Sequence, residues 1–329
     1  MKNTSPTHRY LVTGVAGFIA SHVAQVLLEK GHVVIGIDNL NDAYDPRLKR
    51  YRLKGLKNPN FTFIHADVSD HESLATIFRK FSFDAVFNLA ARAGVRQSTK
   101  DPWSYYGTNV TGTLNLLDLC KEYNVPKFVL ASTSSLYGQS ELQPFNETMS
   151  TDRPLSPYAA SKKAAESLAY TYHYLYDIDV SVLRYFTVYG PAGRPDMSIF
   201  RFIRWIDEGE TLEIYGDGTQ RRDFTYVSDI ARGTVAAVRT VGYEIINLGG
   251  HRPHSINQVI EMIESYLGKE ARRTMLPAHP ADVRATWADV SKAARILGWK
   301  PQISLEQGLK MAVDWYRENK SWARQIVLD

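Results

Sequence analysis

Leu11-Val12-Thr13-Gly14-Val15-Ala16-Gly17-Phe18-Ile19-Ala20 opens on a short apolar run, turns on two glycines and leaves into a helical pattern that continues to Lys30. The pattern reads as strand, tight turn and helix. Glycine at the turn lets backbone amides approach a pyrophosphate, and the free N–H groups of a helix start favour its charge. With a strand before it and a helix after it, the spacing is that of a dinucleotide fingerprint. Gly14, Gly17, Phe18 and Ile19 form the phosphate end of this expected site. Asp38 ends the next apolar run, where a carboxylate can accept hydrogen bonds from both hydroxyls of a ribose. Asn39, Leu40 and Asn41 follow it and bring no cation for a 2′-phosphate, which favours NAD over NADP.

Outward from this unit the first half alternates. Strand-like runs stand at Leu11–Thr13, Val33–Asp38, Phe61–Ala66, Ala85–Leu89, Phe128–Ser132 and Val180–Tyr185. Helical patterns lie between them at Phe18–Lys30, Glu72–Lys80, Trp103–Tyr123 and Tyr158–Tyr176. Strands that are apolar throughout and separated by helices need both faces covered, so a parallel, doubly wound α/β sheet of Rossmann type is expected. After Tyr185 the character changes. A loop at Gly190–Pro195 and a turn at Gly216–Thr219 precede or interrupt helices at Ser198–Glu208, Asp229–Thr240, Ile256–Leu267 and Leu305–Glu318, with one strand at Glu244–Leu248. The reading is a cofactor domain over 1–186 to which the chain returns at about 228–250. A smaller C-terminal α/β substrate domain takes 187–227 and 251–329.

A net charge of +4 over 329 residues, with the cations scattered, argues against nucleic-acid binding. The single cysteine, Cys120, excludes an intrachain disulfide and fits a reducing compartment. No signal-like stretch precedes the first strand and no apolar run reaches the length of a membrane span, so a cytoplasmic location is expected. No metal is expected.

The second informative phrase is Ser156-Pro157-Tyr158-Ala159-Ala160-Ser161-Lys162. On a helix, Tyr158 and Lys162 share a face one turn apart, and an ammonium beside a phenol favours the phenolate, which suits a general base.

Taken together, Thr13–His22, Asn88-Leu89-Ala90-Ala91, Ser132–Gly138, Tyr158 with Lys162, Arg184–Gly190 and Tyr215–Val227 resemble the nucleotide-sugar epimerase branch of the extended short-chain dehydrogenase/reductase family over nearly the whole chain. Within it, Leu40–Pro46 with Leu48-Lys49, and Ala90–Arg96, resemble UDP-glucuronate 4-epimerases. Those relatives usually carry glutamine at Arg92 and glycine at Ala20. The resemblance implies tightly bound NAD that oxidises C4 of the sugar and returns its hydride to the other face of a rotated 4-keto intermediate. It assigns Tyr158 as base, Lys162 as its partner on the nicotinamide ribose, and Thr133, Ser134 and Ser135 as hydroxyls over the sugar. The cofactor set extends to Asn39, Asp67, Val68, Leu89, Ala90, Ala91, Asn109 and Tyr185. Arg96, Thr187, Arg194, Tyr215, Arg222 and Asp282 are implied for the UDP-sugar: Arg222 on the diphosphate, Asp282 on the uridine ribose, Tyr215 beside uracil, and Arg194 toward a sugar carboxylate.

Dehydratases of this family carry aspartate and glutamate after the threonine, and decarboxylases a glutamate at Ser135; neither is present here. The expected activity is therefore conversion of UDP-glucuronic to UDP-galacturonic acid. Epimerisation of UDP-glucose or UDP-N-acetylglucosamine is the alternative, followed by UDP-glucuronate decarboxylation or a non-catalytic NAD-binding regulator. Relatives dimerise through the helices matching 103–123 and 157–176, which implies a homodimer, unless Tyr170, Tyr172, Tyr174 and Tyr176 cap the protein's own core.

Overall fold

The computed structural model describes residues 7–140, 142–278 and 283–328. The first half of the wind runs β1 (Arg9–Thr13), α1 (Phe18–Glu29), β2 (Val33–Asp38), α2 (Pro46–Gly55), β3 (Phe61–His65), α3 (His71–Lys80) and β4 (Ala85–Asn88). It continues through α4 (Val95–Ser98), α5 (Pro102–Tyr106), a π-turn at Gly107–Thr111, α6 (Gly112–Glu122), β5 (Lys127–Thr133), a single 3-10 turn at Ser134–Tyr137, α7 (Pro157–Tyr176) and β6 (Asp179–Tyr185). The remainder holds β7 (Thr187–Tyr189), α8 (Ser198–Glu208), β8 (Thr211–Tyr215), β9 (Arg221–Tyr226), α9 (Val227–Ala236), β10 (Tyr243–Leu248), β11 (Pro253–Ser255), α10 (Ile256–Leu267), β12 (Arg272–Leu276), α11 (Ser291–Leu297), α12 (Leu305–Glu318) and α13 (Lys320–Ala323).

Seven strands form one sheet in the order β10-β6-β5-β4-β1-β2-β3, every pairing parallel. This is the doubly wound arrangement expected from the apolar runs. Every residue of β4 and β5 is buried. One face is covered by α1, α9 and α11 through Val23, Leu27, Ile230 and Leu297. The other is covered by α3, α6 and α7 through Leu74, Phe78, Leu116 and Ala165. Each fully buried leucine or phenylalanine contributes about 1.5–3 kcal/mol relative to exposure. Strand order reverses between β1 and β4, so their carboxyl ends bound the crevice where such folds bind ligands.

The C-terminal half has its own core, centred on Ile203, Leu212, Val259, Ile263, Leu309 and Val313. Two small sheets flank it: β11-β9-β7 and β12-β8. These five strands went unread in the sequence. The helix expected over 229–240 runs instead over Val227–Ala236, because the chain must turn into β10. The expected single helix over 103–123 is interrupted by the π-turn at Gly107–Thr111, an irregularity found mostly at functional sites.

The largest omission is α2. Asp45 caps it by accepting the Arg47 N–H at 3.0 Å, and Pro46 occupies its first turn, where a missing N–H costs nothing. Its buried residues are Leu48, Lys49 and Arg52, so its inner face is mostly cationic. The chain's last described residues fasten it from outside: Val327 N–H donates to Asp45 at 3.1 Å, Arg47 donates to the Gln325 carbonyl, and Ile326 is buried against Tyr44, Leu48 and Phe200.

Candidate active site

A cleft of about 340 Å³ opens at the carboxyl ends of the strands. Its floor begins at the glycine turn. Gly14 has φ +67°, and a Cβ there would sit 2.8 Å from the Ala90 Cα; a Cβ on Gly17 would sit 2.8 Å from the Gly14 carbonyl oxygen. Both positions thus require glycine for the turn to close against β4. Thr13 pins the same junction: its hydroxyl donates to Asn88 Oδ1 at 3.0 Å and accepts the N–H groups of Leu89 and Ala90 at 3.1 and 2.9 Å. No side chain caps α1 and no acidic residue stands in its first turn, so its amide groups face the cleft uncompensated. Asp38, at the end of β2, accepts the N–H groups of Ala16 at 3.1 Å and Leu40 at 2.8 Å and keeps a face on the cleft. An anion-favouring helix start and a carboxylate at the next strand end fit the diphosphate and ribose of NAD. Asn39, Asp67, Val68, Leu89, Ala90, Ala91 and Tyr185 line the same cleft. Asn39 donates to Asp67 at 2.6 Å.

Asn109 does not line the cleft. In the π-turn, its amide bonds the Arg92 backbone at 2.9 and 3.0 Å and the Ser161 hydroxyl at 2.9 Å, bracing the loop after β4 against α7. Lys49, quoted above only for its resemblance and not assigned to the site, supplies a cation where none was expected. Its ammonium is buried 3.7 Å from Asp38, donates to Asn41 Oδ1 at 2.9 Å and faces the cleft. Burial pushes its pKa down, with Asp38 opposing. The clue was the Asp45-Pro46 helix start, which sets Lys49 and Arg52 one turn apart on one face.

At the other end, Ser156 caps α7 by accepting the Ala159 N–H at 3.2 Å, which sets Tyr158 in the first turn and Lys162 one turn on. Thr133 ends β5, Ser134 and Ser135 open the turn after it, and the Thr133 and Ser135 hydroxyls are 3.1 Å apart. Thr187 and Arg194 line the same cleft. The expected effect of Lys162 on Tyr158 needs correction for the ligand-free protein. Burial raises the Tyr158 pKa, and Thr133 and Arg194, rather than Lys162, oppose it. The Lys162 ammonium donates to the Ala131 carbonyl at 2.9 Å; burial lowers its pKa to about 8, with Glu166 opposing.

Arg194 is not a surface charge. It pairs with Asp196 at 2.5 Å and donates to the Ala93 carbonyl at 3.0 Å, while its Nη1 makes no hydrogen bond among the described residues. Arg96 and Tyr215 meet outside the cleft lining, the guanidinium stacked 3.7 Å from the ring centroid. Arg222, on β9, also lies outside that lining. Asp282 lies outside the described residues.

Residues 11–312 match the GDP-mannose 4,6 dehydratase family model. A UDP-glucuronate 4-epimerase of Thermodesulfobacterium geofontis is 60% identical over 96% of this chain and 98% of the relative. Among solved structures, a UDP-glucuronic acid 4-epimerase from Bacillus cereus in complex with UDP-glucuronic acid and NAD superposes with a TM-score of 0.89 at 40% identity, covering 94% of this chain and 99% of that one. A UDP-glucose 4-epimerase from Thermotoga maritima gives a TM-score of 0.88 at 34% identity over 95% and 99%. With similarity this extensive from end to end, the chain belongs to the nucleotide-sugar epimerase and dehydratase branch of the extended short-chain dehydrogenase/reductase family.

Proposed function

We propose that the protein is an NAD-dependent UDP-glucuronate 4-epimerase. The observation that carries this reading is the company Tyr158 keeps. Hydroxyls of Thr133, Ser134, Ser135 and Thr187 and the Arg194 guanidinium share its end of the cleft. The carboxylates lining the cleft, Asp38 and Asp67, stand at the end of β2 and after β3, at the far end, and Asp196, outside the lining, is tied up in its ion pair with Arg194. Dehydration needs an acid and a base near the sugar, which hydroxyls serve poorly at neutral pH. Arg194, whose Nη1 has no acceptor among the described residues, suits a sugar carboxylate. The names of the relatives point the same way.

In this reading Tyr158 takes the proton of the sugar 4-hydroxyl, and Lys162 orients the cofactor ribose. Thr133, Ser135 and Thr187 hold the sugar, and Arg194 meets its carboxylate. Bound NAD supplies a hydride acceptor that is restored within each turnover. Gly14, Gly17, Phe18, Ile19, Asp38 and Asn39 hold it, together with Lys49, which the structure adds. Arg96, Tyr215 and Arg222, with Asp282, are assigned to the nucleotide. We assign cofactor binding to residues 1–186 with the return at 228–250, and UDP-sugar binding to 187–227 and 251–329.

Purified protein should therefore carry NAD and convert UDP-glucuronate to UDP-galacturonate with none added, as read by NMR of the product. Protein free of nucleotide that prefers NADP, or that turns over UDP-glucose alone, would overturn the reading. Arg194→Ala should weaken UDP-glucuronate binding by about 1.5–3 kcal/mol, the worth of a charge-assisted hydrogen bond, and UDP-glucose much less. Asp196 is left unpaired by that change, so the Arg194→Ala/Asp196→Ala pair must be measured alongside by calorimetry. Equal weakening of both sugars would assign Arg194 to the diphosphate or the loop.

A cytoplasmic homodimer completes the proposal. Trp103 is 85% exposed and Tyr174 76%, with Tyr106, Leu114 and Tyr170 also exposed on the 102–122 and 157–176 helices. Tyr172 instead donates to Asp118 within the protein's own surface. Among the described residues no helix is long and apolar enough to cross a membrane. Cys120 is buried, and burial pushes its thiol up and out of reactive range.

A further inference from the structure

Arg52 is 5% exposed, and its guanidinium makes five hydrogen bonds. Nε and Nη2 both donate to the Ala192 carbonyl, at 3.1 and 2.7 Å, and Nη2 also reaches Gly193 O at 3.2 Å. Nη1 donates to Ala16 O at 3.2 Å and to the Tyr44 hydroxyl at 2.7 Å. No acceptor is a carboxylate, and no ion pair joins Arg52 to another described residue. All the donors of the fork are engaged, so this buried cation has none left for a ligand. The Phe18 and Tyr44 rings lie 5.7 and 5.4 Å from its carbon and offset part of the desolvation. Its acceptors belong to three different segments around the cleft: the glycine turn, the loop before α2, and the loop that leads to Arg194.

The third segment is under constraint. Ala192 has φ +52°, a left-handed conformation that L side chains adopt at a cost. Its carbonyl is the one gripped twice, and its methyl is packed with Leu48 and Phe200. Two residues later stands Arg194, which lines the cleft and whose Nη1 has no acceptor among the described residues.

We propose that Arg52 is the positioning residue for Arg194: it holds the 190–194 loop in its strained form against the cofactor turn, so that the Arg194 guanidinium is presented to the sugar carboxylate. This deepens the UDP-glucuronate reading and rests on it. A planar fork can grip three backbone carbonyls at once, whereas a lysine keeps the charge but not the fork.

The test compares wild type, Arg52→Lys, Arg194→Ala and the double variant, each with its co-purified cofactor. Arg52→Lys should weaken UDP-glucuronate at least about tenfold, the lower end for losing one charge-assisted contact, while UDP-glucose changes less than about threefold. In the Arg194→Ala background the same change should add no further selectivity, since neighbours acting through one contact are not additive. Amide hydrogen exchange over 190–197 should quicken in Arg52→Lys with no sugar present. If Arg52→Lys folds poorly, Ala192→Gly, which keeps every acceptor and releases the strained φ, should show the same selective loss in smaller measure. Equal weakening of both sugars, full additivity with Arg194→Ala, or unchanged exchange over 190–197 would overturn the proposal. A wild-type protein that does not prefer the uronate would instead overturn the functional reading, and the exchange result would still decide what Arg52 does.

Discussion

Tyr158→Phe is expected to lower kcat by at least ~10², the usual contribution of a positioned general base, while bound NAD and UDP-sugar affinity persist. The phenol ring packs edge-on against Tyr105, with centroids 6.1 Å apart, so phenylalanine keeps that packing and removes only the hydroxyl. The pH dependence follows from the two groups' directions. Burial holds Tyr158 as the neutral phenol, while Lys162 begins to lose its proton near pH 8. In the ligand-free protein the phenolate–ammonium pair is therefore a minor form at neutral pH. The positive nicotinamide ring of bound NAD shifts the balance toward it. The kcat profile of wild type should rise with pH as the phenol ionises, and this rise should vanish in the variant. Near-normal turnover in Tyr158→Phe would remove the residue from the mechanism.

Glu166→Ala is expected to destabilise the fold by about 3–5 kcal/mol, because it leaves a buried cation without its partner. Glu166 and Arg184 have side chains 3% and 2% exposed, joined by hydrogen bonds of 2.9 and 2.8 Å, and the Ser132 hydroxyl donates to the same carboxylate at 2.6 Å. Among the described residues Arg184 Nη1 already lacks a hydrogen-bond acceptor, and the neighbouring Tyr137 ring, 5.0 Å from the guanidinium carbon, brings no charge to replace the lost carboxylate. The effect reaches the active site as well. Glu166 lies one turn beyond Lys162 and holds its pKa up, so without it the ammonium is lost at lower pH. The alkaline limb of kcat/KM should move to lower pH along with the fall in the urea midpoint. A stable variant with an unmoved alkaline limb would mean that Glu166 neither secures the buried cation nor sets the Lys162 pKa.

Much of the sheet was legible because β4 and β5 are buried on both faces and must be apolar throughout. The glycine turn was legible because its spacing answers to steric need at Gly14 and Gly17. What escaped notice shares a physical cause. The inner face of α2 carries Lys49 and Arg52 beside Leu48, so it shows no apolar stripe at helical period. Cations that face backbone carbonyls look, in sequence, like a solvated helix. β7 and β11 are too short to show a period, and β12 is mostly exposed and charged. The anchoring of Arg194 on the Ala93 carbonyl, and the role of Asn109 as a brace, depend on contacts that no local pattern encodes.

The fastening of residues 325–327 onto Asp45 and Arg47 has a consequence for biosynthesis. The Val327–Asp45 contact closes a sequence separation of 282 residues. At roughly 5–20 residues per second of translation, the helix that carries Lys49 and Arg52 leaves the ribosome about 15–55 seconds before the segment that secures it. In that interval the glycine turn and β2 can form, but the wall beside them has no outer anchor. Capture of the dinucleotide in its final setting is therefore a late event in the birth of each chain, whatever the order in which its strands pair.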